Sequence, residues 1–409
     1  MTSGTDIHVG FMPLMDAAIL IVAREKGFAE DEGICLHLHR ETSWANIRDR
    51  MAVGHFDAAH MLAPMPVANA LNLTPMPTDL IVPMALGLGG NAITVSQVLF
   101  QELFTCDLLD GFDANSAGKA MRKAVQRRQR SAEKKLCFGV VHPHSSHHYD
   151  LRYWLSASGI SPSVDMDIVV VPPSLMPDAL VSGQLDGYCA GEPWKSVATE
   201  RGIGQVLTTK AHIWRSSPDK VLAVSENLAS DRQAMLHALI KSLVRAARWC
   251  QDSGNLDDLA QLLSRPECVS VSADILKHSL TGKFTQLDGA TSSDPAFFIP
   301  YERAANFPWQ SHALWFYSQM VRWGHVKYDV EKVGIINRIW RPDIYRSVVE
   351  AIGLAVPAAN AKVEGSLSSS VPVGVGKGTL TLGPDGFFDG EVFDPELLEL
   401  YIRRQMPLD

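Results

Sequence analysis

The stretch HVGFMPLMDAAILIVAREKG, residues 8–27, places an apolar strand pattern directly before an amphipathic helix pattern that ends at a glycine. HVGFM is typical of a buried strand, and LMDAAILIVAREKG predicts a helix closed by Gly27. A strand followed at once by a helix is the repeating unit of α/β folds. The stretch therefore predicts an α/β lobe with a largely parallel sheet.

Two such strand–helix series occur along the chain. In the first, Ser43 and Gly54 are candidate caps of the helix in TSWANIRDRMAVG. The second runs through KLCFGVV, DIVVVP and LDGYCAG, and the sequence then turns mostly helical. We predict a first part of lobe I over residues 1–97, lobe II over 98–218, and a return to lobe I with C-terminal helices and a tail over 219–409. Hinged two-lobed proteins hold a small ligand in the cleft between their lobes.

The composition is that of an ordinary globular protein, with 409 residues, 46% of them hydrophobic and 20% charged. The formal net charge of -8 argues against direct nucleic-acid binding, because contact with phosphates needs a basic face. No apolar run approaches the roughly 18 to 20 residues that a membrane span requires. Direct contact with nucleic acid or a membrane is therefore not expected.

The N-terminus and the cysteines bear on the compartment. MTSGTDIHVGF lacks the basic start and apolar core of a secretory signal, and the six cysteines include no CxxC pair. Scattered cysteines are typical of reduced, buried thiols. We expect a cytoplasmic protein, although a mature exported form with an added methionine would look the same.

Two further segments have distinctive compositions. GKAMRKAVQRRQRSAEKK, residues 118–135, is a helix-compatible run rich in lysine and arginine. A solvated helix face is its simplest interpretation, and docking of an acidic partner is the alternative. The tail over 355–390 is rich in Gly, Ser and Pro, which predicts an extended arm or a short hairpin.

VVHPHSSHHYDLRYWL, residues 140–155, holds four histidines within seven positions: His142, His144, His147 and His148. They match no zinc template such as HExxH, and adjacent histidines on a helix point about 100° apart. We therefore predict no metal here. His147 instead precedes a helix, where free backbone N–H groups and the helix dipole favour an anion. A surface histidine beside a helix cap is the alternative.

Two other donors occupy unusual positions. Trp44 lies in the first turn of its helix, where the indole N–H is a stiff donor, although a core tryptophan is equally compatible. Lys220 lies at the start of an apolar strand, an odd place for a charge without a partner. A snorkelling surface lysine is the alternative.

The segment YCAGEPW places Ala190 and Gly191 after a strand and just before Pro193, which suits the first turn of a helix. The Gly191 N–H would then face a ligand at close range. Together with the amide of Asn91 and the imidazole of His147, these donors suit a small monoanion.

These segments resemble the nitrate- and bicarbonate-binding (NrtA/CmpA-like) proteins of ABC transporters, and their cytoplasmic relative, the NasS-like nitrate/nitrite sensor of assimilation operons. The resemblance covers about residues 7–230. It rests on GFMPLMDAAILIVAREKGF, SWANIRDRMAVGHFDAAHMLAPMP, GNAITVS, LRYWLSASGI and GYCAGEPW. It implies an α/β, two-lobed type II periplasmic-binding-protein-like fold with a ligand cleft between the lobes.

The resemblance also assigns nitrate binding to particular positions: Trp44, Asn91, His147, Ala190, Gly191 and Lys220. Several relatives have glutamine where Asn91 stands, so the shorter amide would reach the anion through a water. The basic run at 118–135 resembles an insertion into lobe II.

The resemblance and the missing export signal together favour a cytoplasmic nitrate/nitrite sensor. In such sensors the ligand-free protein holds an ANTAR-type RNA-binding antiterminator (NasT-like) inactive, and the anion releases it. Nitrate is planar, singly charged and a weak acceptor, so we expect many donors, one full positive charge and no acceptor. Bicarbonate carries an O–H and would need an acceptor or a metal.

Two other functions use the same fold. A solute-binding component of a nitrate/bicarbonate ABC transporter differs from the sensor in compartment and partner. An enzyme such as the thiamine-pyrimidine synthases uses histidine and lysine with pyridoxal phosphate, but this chain shows no phosphate-cradling glycine loop and no paired acid and base. We predict that the chain is not an enzyme and takes neither a cofactor nor a metal.

Overall fold

The quoted segment forms a strand at Thr5–Phe11 and a helix at Ala18–Glu25. Gly27 follows the helix with a φ of 74°, a left-handed conformation that glycine adopts without steric cost. All side chains from Ala18 to Ala23 are buried, because this helix packs against a long helix of the C-terminal half. The computed structural model describes residues 5–106, 112–285, 291–373 and 379–406.

The strands are, in chain order, β1 (Thr5–Phe11), β2 (Ile34–Arg40), β3 (Ala58–Leu62), β4 (Leu80–Ala85), β5 (Leu88–Gly89), β6 (Asn91–Ser96), β7 (Leu136–Val140), β8 (Met166–Val170), β9 (Gly187–Gly191), β10 (Gly204–Thr209), β11 (Lys220–Ser225), β12 (Lys283–Thr285), β13 (Thr291–Ser293), β14 (Phe298–Ile299), β15 (Val371–Val373) and β16 (Leu380–Leu382). The helices are α1 (Ala18–Glu25), α2 (Phe28–Asp31), α3 (Trp44–Ala52), α4 (Pro64–Ala70), α5 (Gln97–Phe104), α6 (Ala114–Arg130), α7 (Ser146–Ala157), α8 (Met176–Val181), α9 (Trp194–Glu200), α10 (Lys210–Ile213), α11 (Glu226–Ser230), α12 (Gln233–Gln251), α13 (Leu256–Leu263), α14 (Ala273–Leu280), α15 (Gln310–Arg322), α16 (Val330–Ile339), α17 (Pro342–Ala351) and α18 (Leu398–Gln405).

Two five-stranded sheets form the two lobes. The first has the order β2-β1-β3-β11-β4 and the second β10-β6-β9-β7-β8. β1 is parallel to β2 and β3, and β7 to β8 and β9, as the strand–helix pattern predicts. β11 and β6 are antiparallel to both of their neighbours. The sheets are therefore mixed rather than largely parallel, because the strand that enters each sheet from the other lobe runs against its neighbours. The predicted α/β, two-lobed fold class is confirmed.

The first crossover between the lobes comes earlier than predicted. β6 pairs with β9 and β10, so residues 91–96 belong to lobe II, whereas a boundary after residue 97 leaves them in lobe I. The apolar pattern of this strand suits the middle of either sheet, so only the pairing shows which sheet it joins. The chain returns to the first sheet with β11.

The C-terminal part packs against both lobes. α15 contacts α4 of lobe I and α7 of lobe II. In the tail, Asp389 accepts a hydrogen bond of 2.9 Å from the Tyr153 hydroxyl of lobe II. The C-terminal helices and tail within 219–409 therefore contact lobe II as well as lobe I. β15 and β16 form the short hairpin that the tail composition predicts; their connection, residues 374–378, lies outside the described residues.

The basic run lies on α6, whose inner face is buried alanine, methionine and valine. Arg127 and Arg128 on this helix pair with Glu102 of α5 at 2.6 and 2.7 Å. Lys119, Arg122 and the other basic residues of the run are exposed or half-buried, which fits the interpretation as a solvated helix face. Docking of an acidic partner stays a prediction. Among the helices of the described residues, none combines the length and apolar character needed to cross a membrane.

Candidate functional site

Four of the predicted donors lie where elements of the two lobes face each other. Trp44 begins α3, Asn91 begins β6 and Lys220 begins β11, while His147 is the second residue of α7. All four side chains are buried, with exposures of 0–1%. Trp44 and Lys220 come from lobe I, and Asn91 and His147 from lobe II.

Helix caps set the positions of two of these donors. Ser43 accepts a hydrogen bond of 3.1 Å from the Asn46 N–H, so the helix that carries Trp44 begins at Trp44. Ser145 likewise accepts from the His148 N–H at 3.0 Å and starts α7 just before His147. The cap at Ser43 is the one that the sequence predicts.

Asp16 contacts both Lys220 and His60 on the lobe I side of the site. Its Oδ2 lies 2.7 Å from Lys220 Nζ, and its Oδ1 lies 3.1 Å from His60 Nε2. The His60 ring meets the Trp44 ring edge-on, with 5.4 Å between centroids. Lys220 Nζ lies 5.5 Å from the centre of the Trp44 ring. The indole and the ammonium therefore border the same small space.

Gly191 of lobe II borders this space. A β-carbon built on Gly191 would lie 3.2 Å from Asn91 Oδ1, 3.6 Å from His147 Nε2 and 3.6 Å from Asp16 Oδ2. Side chains from both lobes thus converge on the face of Gly191 that carries no side chain. A glycine here lets a ligand approach the backbone closely.

The structure corrects the predicted setting of Ala190 and Gly191. Both lie within β9, where Ala190 pairs with Ala92 and Gly191 with Asn91, and not at the start of a helix. Successive strand residues point to opposite faces, so the buried Ala190 side chain points away from the side on which Gly191 meets Asn91. The helix begins only at Trp194. The strand extends further than predicted because its last residues are still paired with β6.

Several buried polar atoms at this site have no hydrogen-bond partner among the described residues: Trp44 Nε1, Asn91 Oδ1 and Nδ2, and His147 Nδ1 and Nε2. Leaving a buried polar group unpaired costs about 1–3 kcal/mol. A cluster of such groups, contributed by both lobes and facing one space, is the arrangement that a small polar ligand completes.

Two carboxylates that the sequence analysis did not predict flank Lys220. Its ammonium donates to Asp16 and to Asp219, and Asp219 also accepts from the Ser146 hydroxyl. Burial alone would lower the pKa of Lys220, but the charges of Asp16 and Asp219 hold that pKa above its usual value. Burial would raise the pKa of both carboxyls, and the charge of Lys220 nevertheless keeps each pKa below its usual value.

The site therefore contains one ammonium and two carboxylates, whereas the nitrate interpretation of the sequence predicts one full positive charge and no acceptor. An ammonium has three N–H groups, and the two carboxylates use two of them. One Lys220 donor is left to face a ligand. The sequence carried a signal for one of these acids, because Asp219 directly precedes Lys220.

His147 enters the site as a neutral ring. Burial disfavours the charged form and lowers the pKa of His147 to about 3. The imidazole therefore offers one donor and one acceptor at neutral pH. A neutral histidine suits an anion only through its N–H, so Lys220 is the positively charged group of these four donors.

The other three histidines of the run hold the loop together. His148 Nδ1 donates to the Pro143 carbonyl at 2.6 Å, and His148 Nε2 accepts from Arg152 at 2.6 Å. His144 Nδ1 lies 3.1 Å from the Tyr149 hydroxyl. In the described part of the chain this run forms no grouping that fits a metal ion.

A sequence profile of the NMT1-like family matches residues 2–264. The chain belongs to this family. Among curated relatives, it is 29% identical over 418 residues to the nitrate/nitrite binding protein NrtA of Synechococcus elongatus, with 98% of this chain and 87% of NrtA covered. It is 31% identical over 356 residues to the nitrate import ATP-binding protein NrtC of Synechocystis, covering 85% of this chain. The chain spans about half the length of that NrtC, 50%.

Solved structures support the fold. The periplasmic nitrate-binding protein NrtA from Synechocystis PCC 6803 superposes with a TM-score of 0.85 at 24% identity, with 99% of each chain covered. The aliphatic sulphonate-binding protein SsuA from Escherichia coli gives 0.56 at 14% identity, with 84% of this chain and 100% of SsuA covered. The resemblance to NrtA/CmpA-like proteins is thus confirmed for family and fold. The sensor role is not among these findings.

Proposed function

We propose that this protein binds nitrate or nitrite between its lobes, with Trp44, Asn91, His147, Gly191 and Lys220 around the anion. The observation that carries the proposal is the convergence of three buried side chains without partners on the space beside the Lys220 ammonium. The indole and amide N–H groups and the neutral imidazole supply directional hydrogen bonds, and Lys220 supplies the charge. Nitrate needs donors more than acceptors, and this set is rich in donors.

We further propose that the protein is a cytoplasmic sensor that holds an ANTAR-type RNA-binding antiterminator (NasT-like) until the anion binds. A ligand that touches Trp44 and Lys220 from lobe I and His147 and Asn91 from lobe II favours the closed arrangement of the lobes. A partner that accepts only another arrangement is then released by a population shift. All six cysteines are free thiols, three of them buried, which suits a reducing compartment.

A second candidate function is the solute-binding component of a nitrate/bicarbonate ABC transporter. The relatives NrtA and NrtC carry transport-related names, and bicarbonate-binding protein CmpA of Synechococcus elongatus is 26% identical over 416 residues. Asp16 favours this ligand specifically, because its Oδ2 lies beside Gly191 and would accept the O–H of bicarbonate. Nitrate has no proton to offer that carboxylate.

Calorimetric titration of the full chain with nitrate, nitrite, bicarbonate and methanesulfonate separates these ligands. The proposal expects saturable binding of nitrate or nitrite with one site per chain. Binding of bicarbonate alone would support the second candidate, and no heat with any of the four anions would end both.

The sensor role needs a separate measurement. An ANTAR-type antiterminator encoded beside this protein should co-purify with it in nitrate-free buffer and dissociate when nitrate or nitrite is added. A complex that persists unchanged at saturating anion would contradict the release mechanism while leaving anion binding intact.

A further inference from the structure

One face at the edge of the first sheet carries several side chains of the types that commonly act as metal ligands. β1 and the edge strand β2 pair in parallel register, with Asp6 opposite Cys35 and His8 opposite His37. Residues two apart on a strand share a face, so these four side chains, together with His39, stand side by side. The residues between them, such as Ile7 and Leu36, are buried on the other face.

Three of these side chains are close enough to share one ion. The ligand atoms of Asp6, Cys35 and His37 all lie within 4.8 Å of one another, and in the described part of the chain no other grouping meets this criterion. His37 Nε2 lies 2.7 Å from Asp6 Oδ1. The Asp6 and His37 side chains are 65% and 42% exposed, so both are free to adjust.

The donor set points to a particular class of ion. Thiolate sulfur, imidazole nitrogen and carboxylate oxygen are together typical of zinc and neighbouring divalent transition metals, and not of magnesium or calcium, which take oxygen ligands. Metal–ligand distances of about 2.0–2.3 Å put tetrahedral ligands roughly 3.4–3.7 Å apart. The longest separation here therefore has to shorten by only about 1 Å.

We propose that Asp6, Cys35 and His37 bind a divalent transition-metal ion such as Zn²⁺ at the outer edge of lobe I. The His8 ring stacks on His37 at 4.9 Å between centroids, and a water molecule would complete four ligands around the ion. To bind, the Cys35 thiol gives up its proton to solvent and the sulfur bonds to the ion. Asp6 lies near the start of β1 and Asp16 lies beyond the other end of the strand, so this site is separate from the anion site and does not depend on the proposed function.

The proposal departs from the prediction that the protein binds no metal. That prediction rested on ligands spaced closely along the sequence. Asp6 and His37 are 31 residues apart. Only the pairing of β1 with β2 brings them together. The segment CLHLHRE, residues 35–41, alternates apolar and polar residues, which puts Cys35, His37 and His39 on one face of a strand but does not show which strand lies beside them.

Titration of the full chain with Co²⁺ tests the site, because a thiolate ligand to Co²⁺ produces a charge-transfer band in the near ultraviolet. We expect one equivalent of Co²⁺ to develop this band and Zn²⁺ to displace it. Zn²⁺ should also raise the Tm, since an ion that binds only the folded state stabilises it. Cys35→Ser should abolish the band, and His37→Gln should weaken Zn²⁺ binding at least tenfold.

Cys137 provides a matched control. It is a half-buried cysteine that stands opposite Asp167 in the parallel pair of β7 and β8, but it has no histidine facing it in that pair. Cys137→Ser should keep the band and the Zn²⁺ affinity. Absence of a band in the unmodified protein, persistence of the band in Cys35→Ser, or its loss in Cys137→Ser would overturn the proposal. Nitrate titration of Cys35→Ser should match the unmodified protein, so failure of one site is distinguishable from failure of the other.

Discussion

Lys220 and Asp16, 204 residues apart in the chain, form a buried ion pair with 2.7 Å between Nζ and Oδ2. The pair joins the first residue of β11 to the short 3-10 helix at Met15–Ala17, between β1 and α1, and the ammonium lies beside Trp44. One lysine therefore serves both the fold and the proposed ligand. This double role decides how variants at the site should be designed.

Replacing Lys220 with methionine should weaken nitrate binding roughly 10- to 150-fold, since a hydrogen bond to a charged group contributes about 1.5–3 kcal/mol. The variant should also lose about 3–5 kcal/mol of stability, because Asp16 and Asp219 stay buried without their counter-charge. Calorimetry gives the affinity and urea unfolding gives the stability.

Lys362 is the matched control for that variant, because it too is paired with two carboxylates, Glu364 and Asp385. Lys362→Met should lose stability and keep the affinity for nitrate. Equal loss of affinity in both variants would show that the effect at Lys220 is only structural.

Removing the unpaired donors should separate binding from stability. Trp44→Phe and Asn91→Leu each delete polar atoms that have no partner in the described protein. Both variants should be as stable as the parent or more so, while nitrate affinity falls by about 1–3 kcal/mol, roughly 5- to 150-fold in Kd. Thermal unfolding and calorimetry on the same samples test the two effects.

Trp154→Phe is the control for Trp44→Phe, because it removes an indole N–H that does have a hydrogen-bond partner. The Trp154 indole donates to the Ala114 carbonyl at 2.9 Å and lies outside the site. This variant should lose stability without losing affinity. A stability loss in Trp44→Phe as large as that in Trp154→Phe would contradict the assignment of the Trp44 N–H to a ligand.

Adding one methyl group at Gly191 should block the site. The β-carbon of Gly191→Ala would stand 3.2 Å from Asn91 Oδ1 and within 3.6 Å of His147 Nε2, in the space assigned to the anion. We expect nitrate affinity to fall at least tenfold with little change in Tm. Gly386→Ala, whose β-carbon would meet nothing within 4 Å, should bind nitrate normally. Normal binding by Gly191→Ala would place the ligand elsewhere.

The histidine run should make the protein sensitive to acid. Burial lowers the pKa of His142, His147 and His148 to about 3 and that of His144 to about 4. The unfolded chain binds protons near the ordinary pKa of 6.5, so this contribution to stability is complete above that pH and is lost as the pH falls from 6.5 toward about 3. Each histidine contributes a slope of up to about 1.4 kcal/mol per pH unit.

Asp150 opposes part of this effect. Burial raises its pKa to about 6 despite the adjacent Lys210, so the folded state takes up that proton before the unfolded state and gains stability as the pH falls. His142→Asn, which retains an acceptor but does not titrate, should reduce the acid slope of urea-unfolding stability by about one proton. An unchanged slope would mean that His142 is not buried in its neutral form. Nitrate affinity should stay level between about pH 6.5 and 8, because His147 is neutral throughout.

The local patterns of the sequence determined much of this protein. Periodicity predicted the strand and helix of residues 8–27, and cap chemistry predicted the cap at Ser43. The family resemblance pointed to the donors Trp44, Asn91, His147 and Lys220. These features depend on neighbours along the chain or on motifs a few residues long. For that reason they could be predicted without coordinates.

Only the tertiary structure decided which sheet β6 joins, that Gly191 ends a strand, that Asp16 and Asp219 hold Lys220, and that Asp6 meets Cys35 and His37. Most of these features depend on contacts between segments that are distant in sequence. The end of β9 depends on how far its pairing with β6 extends, which local sequence patterns do not show. Burial then sets the charge state of His147 and of the lysine–carboxylate cluster, because desolvation and neighbouring charges act through space. The sequence supplied the donors, and the meeting of the two lobes determined the electrostatic environment in which they act.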